Sequence, residues 1–424
     1  MKSALEVWMD ADFMCEQLRV GTLHNDNGQL RFEYEKSWLN HPAAFALDPD
    51  LSLDKAPFFP RPEIGNFGIF LDSSPDRWGQ TLLKRREALQ AKDKGEKPRN
   101  LDAWDFLVGV QDVTRQGAFR FKLSGSNVFL DFHALAAPPL TSLGEMSRMA
   151  MQLTEKRIDD LDALKKWLAV LVAPGASLGG ARPKANFTQP DGSLWIAKFA
   201  ARDDDRDIGA WEGVMHSLAA AVGIDVPPAQ TTRFGEGFHT FCLKRFDRKA
   251  DRRVFYASAM TLLNKAQSEG CSYLEMALFI KRSGVPGRIA GDLDQLFRRV
   301  VFNVAMGNRD DHLRNHGFLL TANGWRLSPA FDVNPSTSNA EHVLNIDDSD
   351  NRPDLKTVLA TSAFYDLAPT AAKQIVDDIT GKLAGWQTAA RQAGISNADI
   401  AQTAGAFSAL NAWIDSTGEP PTIV

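Results

Sequence analysis

Cysteine is scarce in this sequence. Cys15, Cys242 and Cys271 are the whole complement of the 424-residue chain, and no two of them form a CxxC pair. So few, scattered thiols exclude a disulfide scaffold and argue against a structural zinc site. Long apolar runs are lacking as well. The longest, near Trp167–Pro174, falls far short of the roughly 20 residues needed for a membrane-spanning helix. The opening MKSALEVWMDADFMCEQ carries acids where a secretory leader needs an apolar stretch, so a soluble, cytoplasmic chain with no membrane partner is expected. Positive charge is not in excess: 48 Lys+Arg against 53 Asp+Glu leave a net charge of −5. A surface that grips nucleic acid as a whole is therefore excluded, although a local basic patch is not. No internal repeat and no low-complexity tract interrupts the chain. What remains is an ordinary globular composition, 44% hydrophobic and 24% charged, long enough for two or three domains.

Turn and helix signals divide the chain. Gln17–His24 and Gln29–Tyr34 flank Asn25-Asp26-Asn27-Gly28, which predicts a hairpin. Ser73–Gly79 reads as a capped helix start, and Lys92–Asn100 as an exposed loop. Further on, Lys184–Phe187 and Leu194–Phe199 are strand-like runs around the turn Gln189-Pro190-Asp191-Gly192. A helix is expected from about Asp207 to Val222, with Ile208, Trp211, Met215 and Leu218 as its apolar stripe and Gly223 as its stop. Asp292 is expected to cap a second helix whose stripe is Leu293, Leu296, Phe297, Val300 and Val304, closed by Gly307. After the polar segment Asn308–Asn315, Gly317–Leu320 and Trp325–Ser328 form another hairpin. The chain beyond Leu359 is Ala-rich and helical, and its tail from Ser416 is expected to fray.

The residues that carry chemistry sit around these elements. Asp310 and Asn315 stand five positions apart in NRDDHLRN, and Asp332 follows the hairpin that should return the chain beside Asn315. Carboxylate and amide oxygens converging on one point suit Mg²⁺, whose shell is completed by phosphate oxygens and water. The order Asp-x4-Asn, strand pair, Asp is that of a protein-kinase centre, where the first Asp accepts the substrate proton and the other two residues hold metal. Alone, the spacing also fits a loop whose Asp and Asn merely build turns. The upstream half supports the kinase order. Lys198 lies on the Leu194/Ile196 face of its strand, a costly place for an ammonium without a partner, and Glu212 lies at the edge of the following helix's apolar stripe. A snorkelling lysine and a solvated glutamate are the plainer reading of that pair. Ser177-Leu178-Gly179-Gly180-Ala181-Arg182-Pro183-Lys184 offers backbone N–H groups and two cations to phosphate, or is an ordinary glycine turn. It matches neither the P-loop nor the dinucleotide fingerprint. Phe241–Phe246 is the natural hinge strand. Glycine loop, strand lysine, helix glutamate, hinge, Asp-x4-Asn loop and Asp occur in the order of a two-lobed phosphotransferase.

With these residues in hand, the sequence resembles the HipA family of bacterial toxin kinases. The resemblance rests on SLGGARPK (177–184), LKRFDR (243–248), NRDDHLRNHGF (308–318), SPAFD (328–332) and the earlier SSPDRWG (73–79), and it covers nearly the whole chain. It implies an α+β, two-lobed protein-kinase-like fold, with an α+β N-terminal region and a mainly helical C-terminal lobe. The corresponding divisions are 1–125, 126–245, 246–415 and a tail over 416–424. The resemblance makes Asp310 the general base, with Asn315 and Asp332 as Mg²⁺ ligands and Lys198 on the ATP phosphates. Glu212 supports Lys198, and Gly179, Gly180, Ala181, Arg182, Pro183 and Lys184 form the nucleotide loop. Lys244, Arg245 and Phe246 bracket adenine, with His312 beside the nucleotide. Ser177 is implied as an autophosphorylation site that displaces the loop, since a phosphate of charge about −1.5 to −2 would repel the nucleotide's own phosphates.

Two departures stand out. Asp311 replaces a glycine frequent in the family and is expected to add negative charge near the site. Arg314 replaces a lysine, keeping charge but changing donor geometry. The family further implies a helix-turn-helix, HipB-like antitoxin through which DNA is met indirectly. It also implies a protein substrate, known family targets including aminoacyl-tRNA synthetases whose phosphorylation arrests growth and underlies persistence. Lys84-Arg85-Arg86 and Arg298-Arg299 are expected to be solvated helix faces. A small-molecule phosphotransferase and an inactive kinase-like scaffold for a DNA-binding partner are the competing readings.

Overall fold

The computed structural model describes residues 2–130, 137–155, 182–235 and 237–417. Ser177, Gly179, Gly180 and Ala181 lie outside the described residues. Two compact units emerge: Met1–Arg202 with Lys244–Ala266, and Asp203–Leu243 with Gln267–Val424.

The first unit is built on an antiparallel sheet of β1 (Lys2–Met9), β2 (Leu18–Asp26), β3 (Gln29–Tyr34) and β4 (Phe119–Leu123), in the order β3-β2-β1-β4. The predicted hairpin joins β2 to β3, with Asp26 opposite Gln29. Asn27 and Gly28 adopt φ of 58° and 95°, the left-handed pair that a two-residue hairpin turn requires. Alternation along the strands sends Leu5, Val7, Met9, Leu30, Phe32, Phe119 and Phe121 into the interior. There they meet Phe67, Phe70 and Phe255, largely edge to face. Asp76 caps the Arg77–Lys94 helix by accepting from Gly79 N at 2.9 Å. That helix runs three residues into the segment expected to be a loop, because Gly95 supplies the left-handed residue that ends it. β5 (Lys184–Thr188) and β6 (Leu194–Lys198) pair antiparallel, with Lys184 opposite Lys198.

The second unit is mainly helical. Asp207 caps the Ile208–Ala221 helix by accepting from Ala210 N at 3.0 Å, and Gly223 follows its end at φ 82°. β7 (Ala229–Arg233) and β8 (His239–Lys244) form a hairpin. The Ile289–Ala305 helix is the unit's core element, with Leu293, Leu296, Phe297, Val300, Phe302 and Val304 all buried. Burying each such side chain contributes about 1.5–3 kcal/mol. Two expectations are corrected here. The helix starts a turn before Asp292, which is not the cap: its carboxylate is taken by Arg326, Nε at 2.8 Å and Nη2 at 2.9 Å. Arg299 is not solvated. It is buried, donates to the Ser328 carbonyl, and burial pushes its pKa down to about 10. No helix among the described residues is long and apolar enough to cross a membrane.

Candidate active site

The loop that carries Asp310 begins where the Ile289–Ala305 helix stops. Gly307 turns the chain at φ 61°, with the Ala406 carbonyl so close that an added Cβ would lie 2.3 Å from it. No other residue type fits both conditions. Beyond it nearly every side chain is anchored. Asn308 donates to Asn303 Oδ1 at 3.1 Å, and Arg309 donates to the Asn339 and Ala406 carbonyls at 2.8 and 3.1 Å. Asp310 is the exposed residue of the Val301–Phe318 stretch, while Asn308, Arg309, Asp311, Leu313, Asn315 and His316 are buried. The loop thus holds a carboxylate toward solvent on a rigid support.

Asn315 closes a short 3-10 turn with its N–H on the His312 carbonyl at 2.8 Å. Its side chain is buried and Oδ1 has no hydrogen-bond partner, an arrangement that costs about 1–3 kcal/mol unless a ligand uses the oxygen. The following hairpin, Gly317–Thr321 with Gly324–Leu327, returns the chain so that Ser328 N donates to the Gly317 carbonyl at 2.9 Å. Asp332 comes next, half-buried and at φ 58°. A left-handed aspartate costs about 1–2 kcal/mol, and such strain gathers at functional sites. The Asp332 segment is tied to the Asp310 loop: Asn334 N donates to Asn308 Oδ1 at 3.3 Å and Ser336 N to the Gly307 carbonyl at 2.8 Å. An orphaned buried amide oxygen and the carboxylate of a left-handed residue are hard oxygen donors, and they fit Mg²⁺. Glu212 is buried on the Ile208–Ala221 helix. Just ahead of that helix, Arg206 Nη2 donates to the Pro335 carbonyl at 3.0 Å. His312 is half-buried, with Nδ1 unpartnered.

Asp311 does not add charge to the open site. It is fully buried, and its Oδ2 accepts from Tyr273 Oη at 2.6 Å, His316 Nε2 at 2.6 Å and Asn303 Nδ2 at 2.9 Å. Burial alone would raise its pKa, but His316 beside it brings the net shift below the usual carboxylate value. Sequence spacing gave no signal for this cluster, since Tyr273 and Asp311 lie 38 positions apart.

In the first unit, Lys198 is buried at the end of β6, where Ile196 and Ala197 are buried beside it. Lys184 is buried at the start of β5, where its ammonium pairs with Asp76 at 2.6 Å and its carbonyl accepts from Trp78 Nε1 at 3.2 Å. The SSPDRWG segment therefore fixes the downstream end of the glycine loop, a link that sequence reading missed. Arg182 and Pro183 lead into β5, and the Pro183 carbonyl accepts from Phe199 N at 2.8 Å. At Lys244–Phe246 the three residues differ. Lys244 is half-exposed, and Phe246 is packed 6.1 Å from Tyr256, ring to ring. The Arg245 guanidinium is committed elsewhere: it is buried on Asp247 at 2.5 and 2.8 Å and on Asn186 Oδ1 at 2.9 Å, so it is not available to bracket a base.

His342 is also buried in the second unit, and burial pushes its pKa down from 6.5 to about 4. Between those values the unfolded chain binds more protons than the folded one. The stability linked to this group is therefore complete above about pH 6.5 and is lost as pH falls toward 4, about 2 kcal/mol of it by pH 5. Urea unfolding at pH 7 and pH 5 is expected to show a smaller acid loss in His342→Gln than in wild type. Equal losses would remove His342 from the account.

Helix and sheet arranged in this way, around an Asp-x4-Asn loop and a strained aspartate, define a protein of kinase-like fold. A family model described as the HipA-like C-terminal domain matches residues 176–387, and one described as the HipA N-terminal domain matches residues 11–102. The chain belongs to the HipA family. It is 26% identical over 429 residues to the Putative kinase Y4mE of Sinorhizobium fredii, covering 92% of this chain and 86% of that one. Among solved structures it is similar to HipA from the Shewanella oneidensis MR-1 complex of HipA, HipB and operator DNA. The TM-score is 0.66 at 17% identity, with 97% of each chain covered. Family and relative together make it a HipA-like kinase.

Proposed function

We propose that this protein is a toxin-type serine/threonine-protein kinase that transfers the ATP γ-phosphate to a protein hydroxyl. The observation that carries the reading is Asp310: the exposed carboxylate of a largely buried loop, joined through Asn308 to the segment bearing left-handed Asp332. Asp310 orients the attacking hydroxyl and accepts its proton. Asn315 and Asp332 hold Mg²⁺, which when bound neutralises charge on the phosphates. Lys198, supported by Glu212, reaches the phosphates, and Gly179–Lys184 covers them. Adenine is met at Lys244 and Phe246 and by the backbone of residues 244–246, with His312 beside the nucleotide.

In this reading the kinase works in the cytoplasm, and a HipB-like helix-turn-helix antitoxin restrains it and brings it to DNA. The HipA–HipB–operator complex of the structural relative supports that partner. The substrate is a translation-related protein such as an aminoacyl-tRNA synthetase, and its phosphorylation arrests growth. Autophosphorylation at Ser177 displaces the nucleotide loop and silences the enzyme.

Intact-mass spectrometry of phosphatase-treated full-length protein, before and after incubation with Mg-ATP, tests this. One added phosphate mapping to Ser177 is expected. Phosphate elsewhere would overturn the self-silencing role. A chain that neither gains phosphate nor binds ATP would be a scaffold rather than a kinase.

A further inference from the structure

The three proposed site residues share one hidden feature: each stands one or two positions from a member of the same buried hydrogen-bond network. Asp311, next to Asp310, accepts from His316, next to Asn315, with Nε2 and Oδ2 2.6 Å apart. The two flanking side chains close the loop from behind, so that the carboxylate and the amide they neighbour are separated by a fixed span. Asp311 Oδ2 also accepts from Tyr273 Oη at 2.6 Å, on the Tyr273–Ser283 helix, and from Asn303 Nδ2 at 2.9 Å, on the Ile289–Ala305 helix. Asn303 Oδ1 passes the network to Asn308 Nδ2 at 3.1 Å, and Asn308 Oδ1 accepts from Asn334 N at 3.3 Å, two residues past Asp332. Tyr273, Asn303, Asp311 and His316 are each less than 5% exposed. The Tyr273 and His316 rings meet edge to face at 5.7 Å.

We propose that Asp311 is a positioning residue: its buried carboxylate clamps the loop so that Asp310, Asn315 and Asp332 keep the mutual spacing that phosphoryl transfer needs. The inference rests on the kinase reading above. A carboxylate suits this place because its charged oxygen accepts only, and here a single one, Oδ2, takes all three donors. Hydrogen bonds to a buried charge are also stiffer than neutral ones. Asp311 touches no substrate in this scheme. It acts through its neighbours, where a displacement of about 1 Å can cost 10²-fold in rate.

The test uses full-length protein and two gentle variants, Tyr273→Phe, which removes one donor and keeps the ring, and Asp311→Asn, which keeps shape and one acceptor. Asp311→Ala serves as the severe case and Asp310→Asn as the reference. Autophosphorylation rate is read by mass spectrometry as a function of ATP and Mg²⁺. Mn²⁺ binding in the presence of a non-hydrolysable ATP analogue is read separately by electron paramagnetic resonance. Tyr273→Phe and Asp311→Asn are expected to fold, to lose about ten- to a hundredfold in kcat, and to need several-fold more metal for half-saturation by both readouts, with KM for ATP changed less. If both gentle variants match wild type in kcat and metal affinity while only their melting temperatures fall, Asp311 is structural and the inference is overturned. If wild type neither transfers phosphate nor binds the ATP analogue, or Asp310→Asn transfers it as fast as wild type, the kinase reading itself fails and takes the inference with it.

Discussion

Asp310→Asn is expected to lower phosphoryl transfer by about 10²–10⁴-fold while leaving ATP affinity within roughly threefold of wild type. The amide keeps the shape of the side chain but cannot take a proton from the attacking hydroxyl. Asp310 is exposed, and the supports of its loop run through Asn308, Arg309, Asp311 and His316. The substitution should therefore change chemistry without loosening the fold, since exposed replacements away from special features stay within about 0.5 kcal/mol. Initial rates from radiolabelled ATP, set beside calorimetric binding of a non-hydrolysable analogue, separate the two quantities. A variant with near-wild-type rate would move the base elsewhere. Loss of binding together with rate would make Asp310 part of the nucleotide pocket instead.

Local signals were legible where a few neighbouring residues decide the outcome. Asn27-Gly28 predicts its hairpin because two consecutive left-handed residues are needed there, and Asp207 predicts its helix because a carboxylate can satisfy the N–H groups of a first turn. Asp292 looked the same in sequence and behaved differently. Arg326, 34 positions later on a hairpin strand, takes its carboxylate, and no local pattern announces that fork. Arg299 follows the same logic. Next to the exposed-looking Arg298 it reads as a solvated basic pair, yet the Ser328 carbonyl, 29 positions on, receives it in the interior.

The site divided along the same line. Asp310, Asn315 and Asp332 were nominated because kinase chemistry constrains residue type and spacing within one loop and one hairpin. Asp311 could not be read correctly, because its meaning lies in Tyr273 and Asn303, supplied by two helices. Lys184 was legible as a cation near a glycine loop but not as the partner of Asp76, 108 positions earlier. Arg245 of LKRFDR was read as an adenine contact because the family resemblance implies one there. One acceptor of the motif's arginines, Asp247, lies within the motif, but others are the Thr114 and Arg115 carbonyls, about 130 positions earlier.

That arrangement carries the second large prediction. Asp247 is buried, accepts from Arg245 Nε and Nη2 at 2.8 and 2.5 Å, from Arg248 Nη1 at 2.7 Å and from Gly117 N at 2.9 Å. Burial alone would raise its pKa, but the two guanidiniums overcome that and hold the carboxyl well below the usual range. The same guanidiniums reach Thr114 and Arg115 carbonyls, and Arg253 pairs with Asp112 at 3.0 Å, so Asp247 is one of two acids that tie the Lys244–Ala266 segment to the rest of the first unit. Asp247→Ala leaves two arginines without their counter-charge in the interior and is expected to destabilise the first unit by about 3–5 kcal/mol. Replacing the pair together, Arg245→Met with Asp247→Leu, is expected to recover part of that loss, because a buried ion pair exchanged for apolar packing is often close to neutral. Hydrogen exchange of β1 and β4 amides, alongside urea unfolding, measures both variants. If Asp247→Ala stayed within about 1 kcal/mol of wild type, the network would be ornamental, and Arg245 would be free to serve the nucleotide after all.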